Sequence, residues 1–335
     1  MLGLLKKRNK EDADPEASAE EAAPDDGEEA LSDAGRFDEL RGRLRAWWEG
    51  EDFEAEESAP AADEASEPTP AAETPSPEEW TQARQEIVQK LWGEGFGTPG
   101  EAEHIKMLVK PLGLTAKQSV IDINAGLGGT SRVVAEDTGA WVTGLEAQND
   151  LAAAGMELSV MGGMAKKAPI QYFEPPKIDL RGHTMDAMIS KEGLYTLPEK
   201  EILFEEIYKV LKPIGQMLFT DYLLPKDDHM SPALEDWIAT EHPTPIPWSV
   251  DQTVARLKDI GFEVRVSEDM TDSLKSLVLH GWKELVRDIK PGDLSRDAAG
   301  AMVGEAEIWC RRLALFEAND LRCYRIHALK HESTL

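Results

Sequence analysis

Between residues 119 and 330, short apolar runs alternate with longer segments in which apolar side chains recur every three or four positions. The runs have the length of buried strands, and the longer segments have the period of helices. Because the strands alternate with helices, the pattern is typical of a mainly parallel sheet covered on both faces. It predicts strands at 119–123, 140–146, 169–173, 186–190, 215–222, 262–268 and 321–330.

The helical segments complete this prediction. The first of them, SPEEWTQARQEIVQKLW, contains a capping box that places its N-cap at Ser76. We therefore predict one domain over residues 79–335, a Rossmann-like α/β fold with a doubly wound, mainly parallel seven-stranded sheet. A helical cap, inserted at about residues 270–318, precedes the last strand. The other helices are predicted at 149–161, 199–211, 250–260, 270–289 and 296–318.

Residues 1–78 differ from the rest of the chain. The first 80 residues contain 25 acidic and 8 basic side chains, a net charge of −17 out of −28 for the whole chain. They carry few large apolar groups, so we predict a disordered acidic arm. Within the arm, residues 36–53 have one apolar helical face that includes Trp47, beside Trp48. This segment is a candidate docking site for a protein partner; alternatively, it folds back onto the main domain or is only transiently helical.

Charge and composition also exclude some classes of partner. A strongly acidic chain lacks the basic patch that nucleic acids and anionic membrane surfaces require, so neither is expected as a partner. We expect a cytoplasmic protein without a signal peptide or membrane span. Cys310 and Cys323 lie in apolar patterns and are expected to be buried thiols. No metal site is expected, because the nearest candidate, residues 227–229, is more typical of a solvated loop.

The strand SVIDI runs directly into the glycine-rich turn NAGLGG, residues 124–129. Glycines at 126 and 128 allow the backbone to approach a ligand closely. Glu146 lies 18 residues after Gly128, at the end of the next strand. An acidic residue at that place can accept the hydroxyls of a ribose, so the pattern indicates an adenosine-type cofactor. Ser131 replaces the third glycine of a dinucleotide fingerprint, which argues against a nicotinamide-dependent oxidoreductase.

Residues 185–225 carry three further motifs: Ser-Lys-Glu at 190–192, LKPIG at 211–215 and Thr-Asp-Tyr at 220–222. In the LKPIG turn, Gly215 is the residue expected to take a positive φ. Together with WGEGFGTPG at 92–100, these motifs resemble class I S-adenosylmethionine-dependent methyltransferases. The chain is most similar to small-molecule enzymes of the phosphoethanolamine and glycine/sarcosine type, over about Trp80 to Lys330.

The resemblance implies roles for individual residues. S-adenosylmethionine is the implied cofactor, and a small-molecule methyl acceptor with an undetermined acceptor atom is the implied substrate. Glu192 and Tyr222 are the implied catalytic residues, and Phe96, Lys191 and Tyr195 line the substrate pocket or its lid. The alternatives are an ion pair with Lys191 or a charge at a helix N-terminus for Glu192, and core packing for both tyrosines. The implied cofactor-binding residues are Asp122, Ala125, Gly126, Gly128, Gly129, Glu146, Ala147 and Ser190.

Three departures from the family pattern leave a second interpretation open. Asn124 stands in place of the first glycine, although Asn is the non-glycine residue that best tolerates left-handed backbone. Pro175 and Pro176 stand where an acidic residue usually binds the adenine amino group, and Thr196 replaces a histidine of the phosphobase enzymes. The alternative to an active enzyme is therefore an inactive methyltransferase-fold scaffold that acts through the acidic arm and its two tryptophans.

Overall fold

The computed structural model describes residues 80–289 and 293–331 and shows all seven predicted strands. These residues belong to one compact unit. The acidic arm, the segment at 36–53 and Ser76 lie outside the described residues. The strands are β1 Ser119–Ile123, β2 Trp141–Glu146, β3 Ile170–Tyr172, β4 Met185–Lys191, β5 Leu211–Leu223, β6 Phe262–Asp269 and β7 Arg322–Lys330.

The strands form a single sheet in the order β3-β2-β1-β4-β5-β7-β6. All neighbouring pairs from β3 to β5 are parallel, whereas β7 runs antiparallel to both β5 and β6. The order reverses between β1 and β4, so the carboxyl ends of these two strands border a crevice. The predicted fold class, including the helical insertion before the last strand, is confirmed. The helices are α1 Gln82–Trp92, α2 Ala102–Val109, α3 Gly129–Thr138, α4 Asn149–Met161, α5 Lys200–Val210, α6 Pro232–Thr240, α7 Val250–Ile260, α8 Thr271–Asp288 and α9 Arg296–Glu317.

Side-chain hydroxyls fix the start of several helices. Thr81 Oγ1 accepts the Arg84 N–H at 3.2 Å, so α1 begins at Gln82 and not at Pro77 as predicted. Ser231 Oγ accepts the Leu234 N–H at 3.1 Å and begins α6, a helix that the sequence analysis missed. Its signals, a serine N-cap followed by proline in the first turn, were present in the sequence.

Two further expectations were wrong. In the LKPIG segment, β5 already begins at Leu211 and Ile214, not Gly215, takes the positive φ of 58°. The pairing with β4 shifts here, so the chain bends at Ile214 and continues as a strand. Cys310 on α9 is exposed, and only Cys323 in β7 is a buried thiol.

The main core lies between the sheet and helices α5 and α7. Large side chains from the two layers, among them Met188, Phe204, Phe219 and Leu257, are at most 2% exposed. This packing holds the carboxyl ends of β1, β2, β4 and β5 in fixed positions, which is what a site built on strand ends requires. In the described part of the chain, no helix combines the length and the apolar character needed to cross a bilayer.

Candidate functional site

The turn after β1 is built from left-handed residues. Asn124 and Gly126 both have φ of 57°, and Gly128 has φ of 77°. Asparagine is among the few side chains that occupy this region readily, so the expectation that the turn survives at position 124 is confirmed. The Asn124 amide also donates to the Gly193 carbonyl at 2.9 Å, which ties the turn to the segment after β4.

Glu146, at the end of β2, fixes the other side of this turn. Its carboxylate accepts the Gly126 N–H at 2.6 Å and the Gln148 N–H at 2.7 Å, one on each oxygen. The residue is 1% exposed, and burial raises the pKa of Glu146 to about 7, against the opposing effect of the backbone N–H groups. Each oxygen keeps a lone pair for a further donor, which is the requirement for binding ribose hydroxyls.

Asp122 lies at the centre of the β1 end. Ser131 Oγ donates to Asp122 Oδ2 at 2.7 Å, so the residue that breaks the dinucleotide fingerprint supports the loop in another way. Burial raises the pKa of Asp122 to about 7, although the hydrogen bond from Ser131 and the charge of Lys191 act in the opposite direction.

The end of β4 carries a buried ion pair. Lys191 Nζ donates to Glu192 Oε2 at 2.7 Å and to Thr98 Oγ1 at 2.6 Å, and Thr220 Oγ1 donates to Glu192 Oε1 at 2.7 Å. Both carboxylate oxygens of Glu192 therefore hold a donor. The alternative interpretation of Glu192 as an ion-pair partner is confirmed, while its catalytic role stays a prediction.

These strand ends surround a cavity of about 370 Å³. The cavity also reaches the insertion helix α9 and the segment that precedes α1. It brings together eleven of the thirteen residues that the resemblance assigned to binding or catalysis. They are Phe96, Asp122, Ala125, Gly126, Gly129, Glu146, Ala147, Lys191, Glu192, Tyr195 and Tyr222.

Gly128 and Ser190, the other two, do not line the cavity. Gly128 is the N-cap of α3, and Ser190 Oγ donates to the Ile123 carbonyl at 2.6 Å, which joins β4 to β1. Both residues therefore have structural contacts outside the cavity lining: Gly128 begins α3, and Ser190 holds the end of β4 against β1.

The turn that contains Phe96 packs directly on the glycine loop. The Gly129 N–H donates to the Gly95 carbonyl at 2.8 Å, and a Cβ on Gly129 would lie 2.5 Å from that oxygen. Phe96 is 8% exposed and lines the cavity. The predicted lid segment therefore covers the loop, at a distance that only glycine at 129 allows.

A buried polar network, two of whose members line the cavity, was not predicted from the sequence. Arg312 on α9 forms an ion pair with Glu241, from Nη2 to Oε1 at 2.7 Å and from Nε to Oε2 at 3.0 Å. Tyr195 Oη donates to Glu241 at 3.0 Å and accepts from Arg312 at 2.8 Å, and Trp237 Nε1 donates to Glu241 at 2.6 Å. The partners come from three distant parts of the chain, around residues 195, 237–241 and 312, so no local motif marks the whole network.

The two predicted tyrosines differ in their hydrogen bonding. Tyr195 belongs to the network, whereas the buried Tyr222 hydroxyl has no hydrogen-bond partner among the described residues. Their rings pack against each other at 4.8 Å between centroids. Burial raises the pKa of both phenols above the usual value, so both are neutral at physiological pH. Tyr222 is therefore packed in the core and also forms part of the cavity wall.

The departures noted in the sequence are visible in the cavity wall. Pro175 and Thr196 line it, while Glu174 and Asp179, the possible replacements for an adenine-binding acid, are exposed and do not. His242 lines the same cavity from the segment after α6. The His242 imidazole is therefore part of the cavity wall. The sequence did not indicate this role, because a single histidine in a proline-rich loop matches no functional motif.

Comparison with known families identifies the central part of the chain. Residues 121–219 match the family model described as a methyltransferase domain. This range runs from β1 through β5 and includes the turn, Glu146 and the Ser-Lys-Glu triplet. The predicted resemblance to class I S-adenosylmethionine-dependent methyltransferases is confirmed.

Similar proteins support the same conclusion. The chain is 28% identical over 191 residues to phosphoethanolamine N-methyltransferase 3 of Arabidopsis thaliana, covering 57% of this chain and 38% of that protein. It is 29% identical over 187 residues to a sterol 24-C-methyltransferase of Saccharomyces cerevisiae, covering 54% of this chain and 48% of that protein. The chain thus spans less than half the length of these curated relatives.

A solved structure of similar fold is phosphoethanolamine N-methyltransferase 2 of Haemonchus contortus, which was determined in complex with S-adenosyl-L-methionine. The two superpose with a TM-score of 0.68 at 20% identity, covering 76% of this chain and 58% of the other. At this level of identity the match establishes the shared fold.

Proposed function

We propose that this chain, which carries a methyltransferase domain of class I fold, transfers the methyl group of S-adenosylmethionine to a small-molecule acceptor. The observation that carries the proposal is the position of Glu146. Its carboxylate is buried at the end of β2, is held by the N–H groups of Gly126 and Gln148, and lines the cavity beside the glycine turn.

The residues around the turn fit such a cofactor. Apart from its neighbours in the chain, a Cβ on Gly126 would have no atom within 4 Å, so the space in front of the turn is open for a ligand. Glu146 offers acceptor lone pairs for the ribose hydroxyls, and Asp122 and Ala125 line the same end of the cavity. The exception is the adenine amino group, because Pro175 supplies no side-chain acceptor there.

The chemistry required of the protein is limited. S-adenosylmethionine, when bound, supplies a methyl group that is already electrophilic. The chain must therefore hold the acceptor in line, exclude water and remove a proton where the acceptor atom carries one. Tyr195 and Tyr222 form a wall of the acceptor side, and the turn with Phe96 covers the glycine loop. His242 and Glu192 are the candidate proton acceptors, since both line the cavity.

Calorimetry on the full chain tests the proposal. We expect micromolar binding of S-adenosylmethionine and S-adenosylhomocysteine, weakened about 10- to 100-fold in Glu146→Gln by the loss of charge-assisted hydrogen bonds. Glu157→Gln, the same change on the exposed face of α4, serves as the matched control and should bind as the unmodified chain does.

Failure of well-folded protein to bind either ligand would contradict the proposal and favour the inactive scaffold. Equal binding by Glu146→Gln would show that Glu146 does not hold the ribose. Binding without methyl transfer to any acceptor would separate cofactor recognition from catalysis.

A further inference from the structure

Among the residues that the structure describes, three cationic side chains line the cavity, and each is already paired with a carboxylate. Lys191 lies 2.7 Å from Glu192, Arg84 lies 2.6 Å from Glu305, and Arg312 lies 2.7 Å from Glu241. The carboxylate members of these pairs are 2–5% exposed, so the charges are neutralised within the protein.

Arg312 lies among aromatic rings that line the cavity. Its guanidinium carbon lies 4.8 Å from the Trp309 ring centroid and 5.3 Å from that of Tyr222. Glu241 occupies Nε and Nη2, which are one edge of the guanidinium fork. A phosphate would need that fork in an uncompensated state, since bidentate arginine contacts are what anion recognition uses.

The remaining charges of the cavity are unfavourable for an anion. Besides the carboxylates that are already paired, Asp122 and Glu146 line it, and the chain as a whole carries a net charge of −28. Transfer of a phosphate from water into such a site costs its hydration, and no lining cation of the described residues is left without a carboxylate partner to compensate for that cost. The same net charge slows the approach of anionic ligands.

The wall suits a different kind of molecule. Five aromatic side chains line the cavity, and the buried Tyr222 hydroxyl has no hydrogen-bond partner within the described residues. A buried hydroxyl without a partner costs free energy, and a ligand oxygen or nitrogen can recover it once a small shift of the ring opens the Tyr222 hydroxyl to the cavity. The five aromatic residues are Trp80, Phe96, Tyr195, Tyr222 and Trp309.

We propose that the methyl acceptor is an uncharged molecule whose body packs on these aromatic rings and whose polar group bonds the Tyr222 hydroxyl. Glu241 is a positioning residue, which neutralises Arg312 and so excludes phosphorylated acceptors. This inference rests on the proposed methyltransferase function, and it separates the chain from the phosphoethanolamine enzymes to which it is similar in sequence.

Binding of matched probes to the full chain tests the proposal. Phenol and phenyl phosphate share one ring and differ in charge; both are titrated by calorimetry, with and without saturating S-adenosylhomocysteine. We expect phenol to bind at millimolar concentration and phenyl phosphate and phosphoethanolamine not to bind. Comparable or tighter binding of either phosphate would overturn the proposal, and so would absence of phenol binding.

Two variants assign the selectivity to residues. Glu241→Gln leaves Arg312 with an uncompensated charge and should raise the affinity for phenyl phosphate about tenfold or more, because an unpaired buried cation favours an anion strongly. Tyr222→Phe should weaken phenol binding and leave S-adenosylhomocysteine binding unchanged. Glu205→Gln, which removes an exposed ion-pair partner of Arg256, is the control and should alter neither.

An unchanged ratio of the two affinities in folded Glu241→Gln would contradict the role of Glu241. If that variant does not fold, the probe series on the unmodified chain and Tyr222→Phe still decide the substrate class. If the unmodified chain does not bind S-adenosylhomocysteine, the proposed function is refuted instead. The titrations of phenol and phenyl phosphate without that ligand measure acceptor binding independently of the cofactor.

Discussion

Glu241 and Arg312 form a buried two-point ion pair that joins the end of α6 to the insertion helix α9, with N–O distances of 2.7 and 3.0 Å. Burial by itself raises the pKa of Glu241. The charge and hydrogen bonds of Arg312 outweigh that effect and hold the pKa below its usual value. The helical insertion is therefore attached to the cavity wall through an ionised pair.

Removal of one partner of this pair should destabilise the fold. Arg312→Met leaves Glu241 buried without its cation, which costs roughly 3–5 kcal/mol of unfolding free energy. Arg256→Met, which breaks the more exposed pair with Glu205, should cost less than about 1 kcal/mol. Urea unfolding at neutral pH measures both free energies of unfolding. Similar losses for the two variants would show that the buried pair contributes no more to stability than the exposed one.

The two cavity tyrosines should respond in opposite ways to loss of the hydroxyl. Tyr222→Phe removes a buried group without a partner, so stability should stay equal or rise. Tyr195→Phe removes two hydrogen bonds, to Glu241 and from Arg312, and should cost about 1–3 kcal/mol. Thermal and urea unfolding compare the pair, and a clear loss in Tyr222→Phe would indicate a partner for its hydroxyl.

Stability should depend on pH through Glu146. Burial raises its pKa from 4.5 to about 7 in the folded chain. Its contribution is therefore fully present below pH 4.5 and is lost as the pH rises to about 7, a change of roughly 3 kcal/mol. Glu146→Gln removes this titration, so the loss of stability between pH 5 and pH 8 should be smaller in the variant.

The pH series is measured by urea unfolding in buffers of equal ionic strength. Glu157→Gln should keep the slope of the unmodified chain, because that side chain is exposed. An identical slope for Glu146→Gln would contradict the assignment of the titration to Glu146.

Gly129 should tolerate no side chain. In Gly129→Ala the new Cβ would lie 2.5 Å from the Gly95 carbonyl oxygen, so either the turn with Phe96 or the glycine loop must move. We expect a loss of 1–3 kcal/mol, the usual range for overpacking, and weaker binding of S-adenosylhomocysteine. Gly300→Ala is the control, because outside the backbone of its own helix no atom lies within 4 Å of its Cβ position in α9, and alanine favours helix by up to about 1 kcal/mol.

Ile214 should be a site where substitution stabilises. It is 65% exposed, is β-branched and has φ of 58°, a left-handed conformation that costs such a residue roughly 1–2 kcal/mol. Ile214→Gly should recover about 1 kcal/mol in urea unfolding. Ile202→Gly, at an exposed position inside α5, should lose about that amount, since glycine disfavours helix. A loss in both variants would argue against strain at Ile214.

Much of the fold was predictable because its signals are local. Strand β1 and helices α4 and α7 have the predicted bounds, since a buried apolar run or a three-to-four-residue period decides each of them without reference to distant parts of the chain. The turn at Asn124 was predictable for the same reason, because the left-handed preference belongs to the residue itself.

Errors arose where distant contacts decide the conformation. Gly215 was the expected left-handed residue, but the pairing of β5 with β4 places the bend at Ile214 instead. A Cβ on Gly215 would lie 2.8 Å from the Lys212 carbonyl, so the glycine serves close packing. Cys310 followed the apolar pattern of α9, yet the way that helix docks leaves it exposed.

The sequence by itself determined the α/β class, the glycine turn and the position of Glu146, because strand ends and turn residues are adjacent in the chain. Only the tertiary structure decided what faces them. Tyr195, Glu241 and Arg312 are separated by 46 and 71 residues, and they meet because the sheet order and the insertion place their elements around one cavity. A buried charge needs its partner at hydrogen-bond distance, and such a distance is a property of the folded chain, not of residue spacing.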